Sequence, residues 1–169
     1  PFFNVLPYID RCLKSIQNQT YTNLEIICID DYSTDGSILV ARSYKAADSR
    51  FQIIENDKNK GLGSSRNVGL SKSTGQFIAF IDSDDFIEED YFECLYKALI
   101  EHNADVSISA VECFENDKSY YQSGLHYINN LKNCCFPCNW HDSYLSVWNL
   151  WPSAWNKLFR RNIIEETGA

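Results

Sequence analysis

Gln76-Phe77-Ile78-Ala79-Phe80-Ile81-Asp82-Ser83-Asp84-Asp85 sets five consecutive apolar residues directly against three carboxylates. A short apolar run with β-branched and aromatic members, opened by Gly75, predicts a strand buried on both faces. Carboxylates this close raise one another's proton affinity unless positive charge lies between them. A divalent cation with hard oxygen ligands meets that need. The other reading is a solvated acidic turn that caps the following helix. Position favours the cation, because in open α/β sheets ligands bind beyond the carboxyl ends of the strands.

Working outward, residues 24–29 form a second buried run, and it too ends in acid, Asp30-Asp31. Turn chemistry follows at residues 32–37, with Asp35 or Ser37 as the N-cap of a helix over 37–47. Residues 51–55 read as a strand. Residues 56–63 read as a polar loop with two glycines, Lys58 and Lys60, and residues 64–71 as a helix with Arg66 in its first turn. Upstream, Ile9, Cys12, Leu13 and Ile16 recur at the spacing of one helical face, and Pro7 suits that helix's first turn. Residues 1–4 look like a strand end or the loop after it. Downstream, Tyr91, Leu95, Ala98 and Leu99 share a helical face that Asp90 can cap, and residues 105–111 alternate as a strand. This alternation of strand and helix predicts an α/β fold, a mainly parallel sheet with helices on both faces and right-handed crossovers. Past Glu112 the pattern weakens. Residues 119–133 are polar and aromatic and suit a hairpin, and residues 140–155 hold all four tryptophans.

The chain has 169 residues, 44% of them hydrophobic, enough for one domain with a full core. A net charge of −8 argues against nucleic-acid binding, which needs basic surface to neutralise phosphates. The seven cysteines are scattered, so reduced thiols in a cytoplasmic compartment are expected. Cys134, Cys135 and Cys138, flanked by His126 and His141, resemble half of a zinc site, with buried or loop thiols as the default reading. No apolar run reaches the length of a membrane-spanning helix, and no signal peptide is visible. A chain that opens on Pro1 and contains no methionine suggests a true start further upstream.

Parallel strands all end on one side, which places Asp30 and Asp31 on the same edge as Asp82, Asp84 and Asp85. A carboxylate there can accept hydrogen bonds from ribose hydroxyls or a base N–H. Arg66 near a helix N-terminus suits a phosphate. One edge thus offers sugar, base and diphosphate contacts. Singly, each group also has a plainer reading: a capped loop for Asp30-Asp31, a surface salt bridge for Arg66.

Together the residues resemble a known family. Pro1-Phe2-Phe3-Asn4 and Ser15-Ile16-Gln17-Asn18-Gln19-Thr20 resemble the P-x-Y-N and S-[IL]-x-x-Q-T opening of family 2 glycosyltransferases. Residues 25–37 resemble their E-I-I-x-x-D-D-x-S-x-D-x-S segment, and residues 61–69 their G-x-x-x-A-R-N-x-G. Asp82-Ser83-Asp84 matches the D-x-D. Trp155-Asn156-Lys157-Leu158-Phe159 resembles the W-N-K-L-[YF] of members that assemble bacterial surface polysaccharides. The resemblance implies a GT-A fold, a nucleotide-diphosphate sugar donor, UDP-linked by expectation, and a saccharide or lipid-linked acceptor. It implies Mg²⁺ or Mn²⁺ as cofactor and transfer with inversion at the anomeric carbon. Asp31 would contact the base, with Pro1 and Phe3 lining its pocket. Arg66 would serve the nucleotide or diphosphate, Asp82 the ribose or sugar, and Asp84 the metal. Residues 1–111 would form the nucleotide-sugar-binding half and residues 112–169 the start of the acceptor half. The protein would lie in the cytoplasm, free or peripheral at the inner face of the membrane.

Both ends depart from the pattern. The family's first strand is expected before Pro1. The general base is expected beyond Ala169, since Glu165-Glu166 lies too close to Lys157 to be assigned. Two other functions stay open: a degenerate module that binds a nucleotide sugar without transfer, and a haloacid-dehalogenase-like phosphotransferase. The latter also uses strand-D-x-D, but it wants Thr or Val where Asp85 stands.

Overall fold

A computed structural model of the chain describes residues 1–115, 118–120 and 154–167. The first helix, α1 (Leu6–Gln17), forms where the apolar stripe lies, and Ile9, Cys12, Leu13 and Ile16 are all buried. Strand β1 (Ile26–Asp30) pairs in parallel with β2 (Phe51–Glu55), in register from Ile26 opposite Phe51 to Asp30 opposite Glu55. The crossover between them is α2 (Ser37–Ala47), whose Tyr44 packs on Phe51 with ring centroids 5.6 Å apart. Its N-cap is Gly36, at φ 96°, instead of Asp35 or Ser37. Glycine takes this left-handed turn without a Cβ penalty. The Asp35 carboxylate is thereby released to accept from the Ser37 hydroxyl and N–H and from the Leu6 N–H. One side chain so ties the starts of both helices together.

After β2 come α3 (Leu62–Lys72), β3 (Phe77–Ala79) and α4 (Tyr91–Glu101). Asp90 precedes α4, but its carboxylate accepts from the Cys94 thiol and caps no backbone N–H. Strand β4 (Val106–Ile108) follows, then a hairpin of β5 (Cys113–Glu115) and β6 (Lys118–Tyr120). That hairpin overlaps the start of the one expected over 119–133; the rest of that stretch lies outside the described residues, as do Cys134, Cys135, Cys138, His126 and His141.

The α/β class holds, with one correction to the sheet. The segment around Trp155-Asn156-Lys157-Leu158-Phe159, read from sequence only as a motif, supplies a strand, β7 (Lys157–Arg160), followed by α5 (Arg161–Thr167). Strand β7 lies between β3 and β4 and runs antiparallel to both. Leu158 explains its place: it is buried in a cluster with Leu95 and Leu99 of α4. The arginines after it lock the ends, Arg160 donating to the Ala104 carbonyl and Arg161 to the Gly75 carbonyl. Strands β3 and β4 are also three residues each, shorter than the apolar runs that announced them.

Strands β1 and β3 are not hydrogen-bonded to each other. A cavity of about 690 Å³ opens between them, lined by Ile27 and Ile29 on one side and Phe77 and Ala79 on the other. Its wall also includes Ser65, Arg66 and Ser83, but none of the candidate carboxylates. Pro1 lines it with Arg66, so it adjoins the polar site, whose carboxylates follow the strand ends.

Candidate functional site

At the end of β1 the chain's first residues dock alongside. The Phe2 N–H donates to the Ile29 carbonyl at 2.8 Å and the Asp31 N–H to the Phe2 carbonyl at 2.9 Å. Asn4 and residues 33–34 exchange further bonds, Asn4 N–H to the Ser33 hydroxyl and Thr34 N–H to the Asn4 side-chain carbonyl. This docking buries Phe2 and turns Phe3 outward, where it is 45% exposed. Pro1 lines the inner cavity together with Arg66.

Asp31 is buried. Its Oδ1 accepts from the Asn56 amide and the Lys60 N–H, and its Oδ2 from the Gly61 N–H, each at 2.8 Å. Asn56 also donates to the buried Ser65 hydroxyl at 3.0 Å. Burial pushes the Asp31 carboxyl up, but the N–H groups of Lys60 and Gly61, the Asn56 amide and Ser65 outweigh it and hold the carboxyl below its ordinary range. Asp31 is therefore a charged anchor for the loop that enters α3.

Gly61, at φ 82°, starts α3 at Leu62, two residues earlier than the sequence suggested. Arg66 accordingly sits beyond the first turn. Leu62, Gly63 and Ser64, which carry the free N–H groups of that turn, are exposed. Arg66 Nη2 donates to Asp82 Oδ1 at 2.7 Å, and both side chains are about three-quarters covered (20% and 26% exposed). The guanidinium also lies 5.8 Å from the centre of the Phe80 ring. Two groups read separately from sequence, one for phosphate and one for sugar, thus form a single ion pair. Anchored Asp31, Ser65 and Arg66 then follow one another along the same path, from the end of β1 to Asp82 after β3. Asp31, which follows β1, and Asp82, which follows β3, are linked through Asn56, Ser65 and Arg66.

Beyond Asp82 the chain turns, with the Asp85 N–H on the Asp82 carbonyl at 3.1 Å, and leaves Asp84 exposed. Asp85 is open at its surface, yet its carboxyl is desolvated and faces the charges of Asp84 and Asp82, which together push it above its ordinary range against the pull of Arg11. Among the described residues no three His, Cys, Asp or Glu side chains converge as a ready-made metal cage. The donors still fit Mg²⁺ or Mn²⁺, since such ions commonly take one or two carboxylates and complete their shell from substrate phosphates and water.

Cys12, Cys28 and Cys94 are free thiols. Burial pushes Cys12 up to about 12 and Cys28 to about 11, so neither is a nucleophile at neutral pH. Sequence reading missed Asn56 and Ser65, the polar groups behind Asp31. Asn56 directly after a strand and a small residue before Arg66 were the available signals. No described helix is long and apolar enough to cross a membrane.

Comparison with known proteins fits this geometry. Residues 1–168 match the sequence profile of "Glycosyl transferase family 2". The chain is 34% identical to glycosyltransferase GlyA of Streptococcus pneumoniae over 98% of its own length and 24% of GlyA's. Its fold superposes on TarS of S. aureus with a TM-score of 0.79 at 24% identity, over 99% of this chain and 47% of that one. TarS is also solved with UDP-GlcNAc. A mannosyltransferase from Pyrobaculum calidifontis, solved with GDP-Man and Mn²⁺, superposes with a TM-score of 0.71 at 20% identity, over 100% of this chain and 45% of that one. The fold is that of the GT-A neighbours. The chain spans less than half the length of these relatives.

Proposed function

The chain belongs to glycosyl transferase family 2, and from that premise we propose that it forms the donor-binding part of a metal-dependent, inverting glycosyltransferase of polysaccharide assembly. The donor is a nucleoside-diphosphate sugar, UDP-linked in the first instance, and the acceptor a saccharide or lipid-linked hydroxyl. The observation that carries this reading is the continuous polar path from Asp31 through Asn56 and Ser65 to the Arg66–Asp82 pair. It runs along the carboxyl ends of β1 and β3, where a nucleotide fits an open α/β sheet.

In this reading Asp31 shapes the base side of the pocket, by holding Lys60 and Gly61, and Phe3 offers an exposed ring on which a base can stack. Pro1 supports that wall from within. Arg66 exchanges part of its contact with Asp82 for a phosphate oxygen, for which a guanidinium is suited. Asp82 is then freed toward the ribose or sugar, and Asp84 holds the cation. Mg²⁺ or Mn²⁺ would supply Lewis-acid stabilisation of the departing diphosphate. The acceptor proton needs a carboxylate base; Glu165, exposed and paired with Arg161 at 3.5 Å, is not assigned that role, and the base is expected beyond Ala169. The protein acts on the cytoplasmic side, at or near the membrane where lipid-linked acceptors lie.

Calorimetry with UDP, with and without Mn²⁺, tests the reading. Wild type should bind UDP more tightly with Mn²⁺, and Asp84→Ala should lose that gain while keeping metal-free binding. Equal UDP affinity with and without Mn²⁺ in wild type would refute the metal assignment. Absence of UDP binding in either state, with other nucleoside diphosphates failing as well, would refute the donor site itself.

A further inference from the structure

The turn that carries Asp82 and Asp84 is held from one side by α1 and the residues just after it. The Cys12 thiol donates to the Asp82 carbonyl at 3.6 Å, and Ser15 Oγ accepts from the Ile87 N–H at 3.2 Å. Gln19 makes the central contact. Its Nε2 donates to the Glu88 carbonyl and, at 3.1 Å, to the Ser15 carbonyl, and its Oε1 accepts from the Phe92 N–H at 3.0 Å. Thr20 follows with its N–H on the Glu89 carbonyl at 2.8 Å and its hydroxyl on Glu93 at 2.7 Å. Gln19 is 4% exposed. Both amide hydrogens meet carbonyls and its oxygen meets an N–H, so the amide has one orientation and no isosteric replacement.

These contacts exceed what α1 needs for its own end. The helix closes at Asn18, whose N–H already reaches the Lys14 carbonyl. The Gln19 amide instead holds the start of α4, accepting from the Phe92 N–H in its first turn and donating to the Glu88 carbonyl four residues past Asp84, so it fixes the downstream end of the segment that carries the acidic turn. Strand β3 ends at Ala79, so two residues of chain, Phe80 and Ile81, separate the sheet from Asp82. The contacts from α1 add to the Arg66–Asp82 pair and to the Asp85 N–H bond on the Asp82 carbonyl in holding the acidic turn.

We propose that Gln19, aided by Ser15, is a positioning residue that fixes the Asp82–Asp84 turn and so sets how tightly it holds a divalent cation together with a nucleoside diphosphate. The inference rests on the metal reading above. It predicts a loss larger for the cation than for metal-free UDP, because Asp31 and the α3 entrance are anchored through separate bonds.

The test measures Mn²⁺ binding to the UDP complex of the full chain by electron paramagnetic resonance of free and bound Mn²⁺, with calorimetry of UDP alone. Gln19→Glu, which sets a carboxylate against two carbonyl oxygens, should weaken Mn²⁺ by about tenfold to a hundredfold and change metal-free UDP affinity much less. Ser15→Ala, which removes one contact at less risk to folding, should shift Mn²⁺ in the same direction by less. Asp84→Ala is measured alongside. If Asp84→Ala weakens Mn²⁺ while Gln19→Glu and Ser15→Ala do not, the positioning role is overturned and the metal site stands. If both variants lower thermal stability and weaken UDP equally with and without Mn²⁺, their role is structural only, which also overturns the proposal. If Asp84→Ala itself leaves Mn²⁺ unaffected, the metal reading fails and this inference falls with it.

Discussion

At the residue scale, Asp31 shows how one carboxylate can be both buried and ionised. Three bonds at 2.8 Å, two of them from backbone N–H groups, replace the water it lost. Its folded proton affinity lies below the unfolded one, so the charged form contributes stability above the ordinary value of 3.8. That contribution disappears as pH falls below 3.8 through the folded value. Asp31→Asn should therefore flatten the acid limb of the stability curve, read as urea midpoints from about pH 5 downward. Asp31→Ala should cost about 1–3 kcal/mol, since it strands buried donors without an acceptor, and should also weaken binding of uridine, the base-bearing fragment. An acid limb identical to wild type in Asp31→Asn would show that these contacts do not depress the carboxyl.

At the scale of elements, α3 connects the two halves of the site, and its packing depends on a close approach to β1. Gly69 faces Ile29, and a Cβ there would meet Ile29 Cγ1 at 3.6 Å and Cδ1 at 3.9 Å, ordinary contact distances. Its backbone is helical, without the positive φ of Gly61 or Gly36. Gly69→Ala should accordingly stabilise the protein by about 0.5–1 kcal/mol through helix propensity and unfolded-state entropy. Gly61→Ala should destabilise it, because a Cβ is strained at φ 82° although nothing crowds the position. Thermal melts of the two variants give opposite signs if the local geometry is as described; shifts in the same direction would contradict it.

At the scale of the whole molecule, β7 makes one sheet out of strands distant in sequence. It joins β3 and β4 through antiparallel pairing, and Leu158 fills the space beneath α4. Leu158→Ala should cost about 2–5 kcal/mol in a urea melt. Its effect should reach the site through β3, which leads directly into Asp82. Hydrogen exchange would register this as faster opening of β3 and β4 together, with β1 and β2 less affected. Uniform acceleration in all four strands would instead mean that the two sheets open as one unit.

The sequence by itself determined the α/β class, the boundaries of β2, the buried face of α1 and the acidic strand ends, because each rests on local periodicity or on an abrupt change of polarity. It also supplied the motifs that carried the family resemblance. Tertiary structure alone decided what those groups touch. It paired Arg66 with Asp82, closed Asp31 inside a ring of donors and set Gln19 behind the acidic turn, contacts that span 16, up to 30 and up to 73 residues. It also placed β7 between β3 and β4, about eighty and fifty residues away in sequence. No local pattern specifies such pairings, since a four-residue strand gains its stability from the neighbours it meets and not from its own propensity.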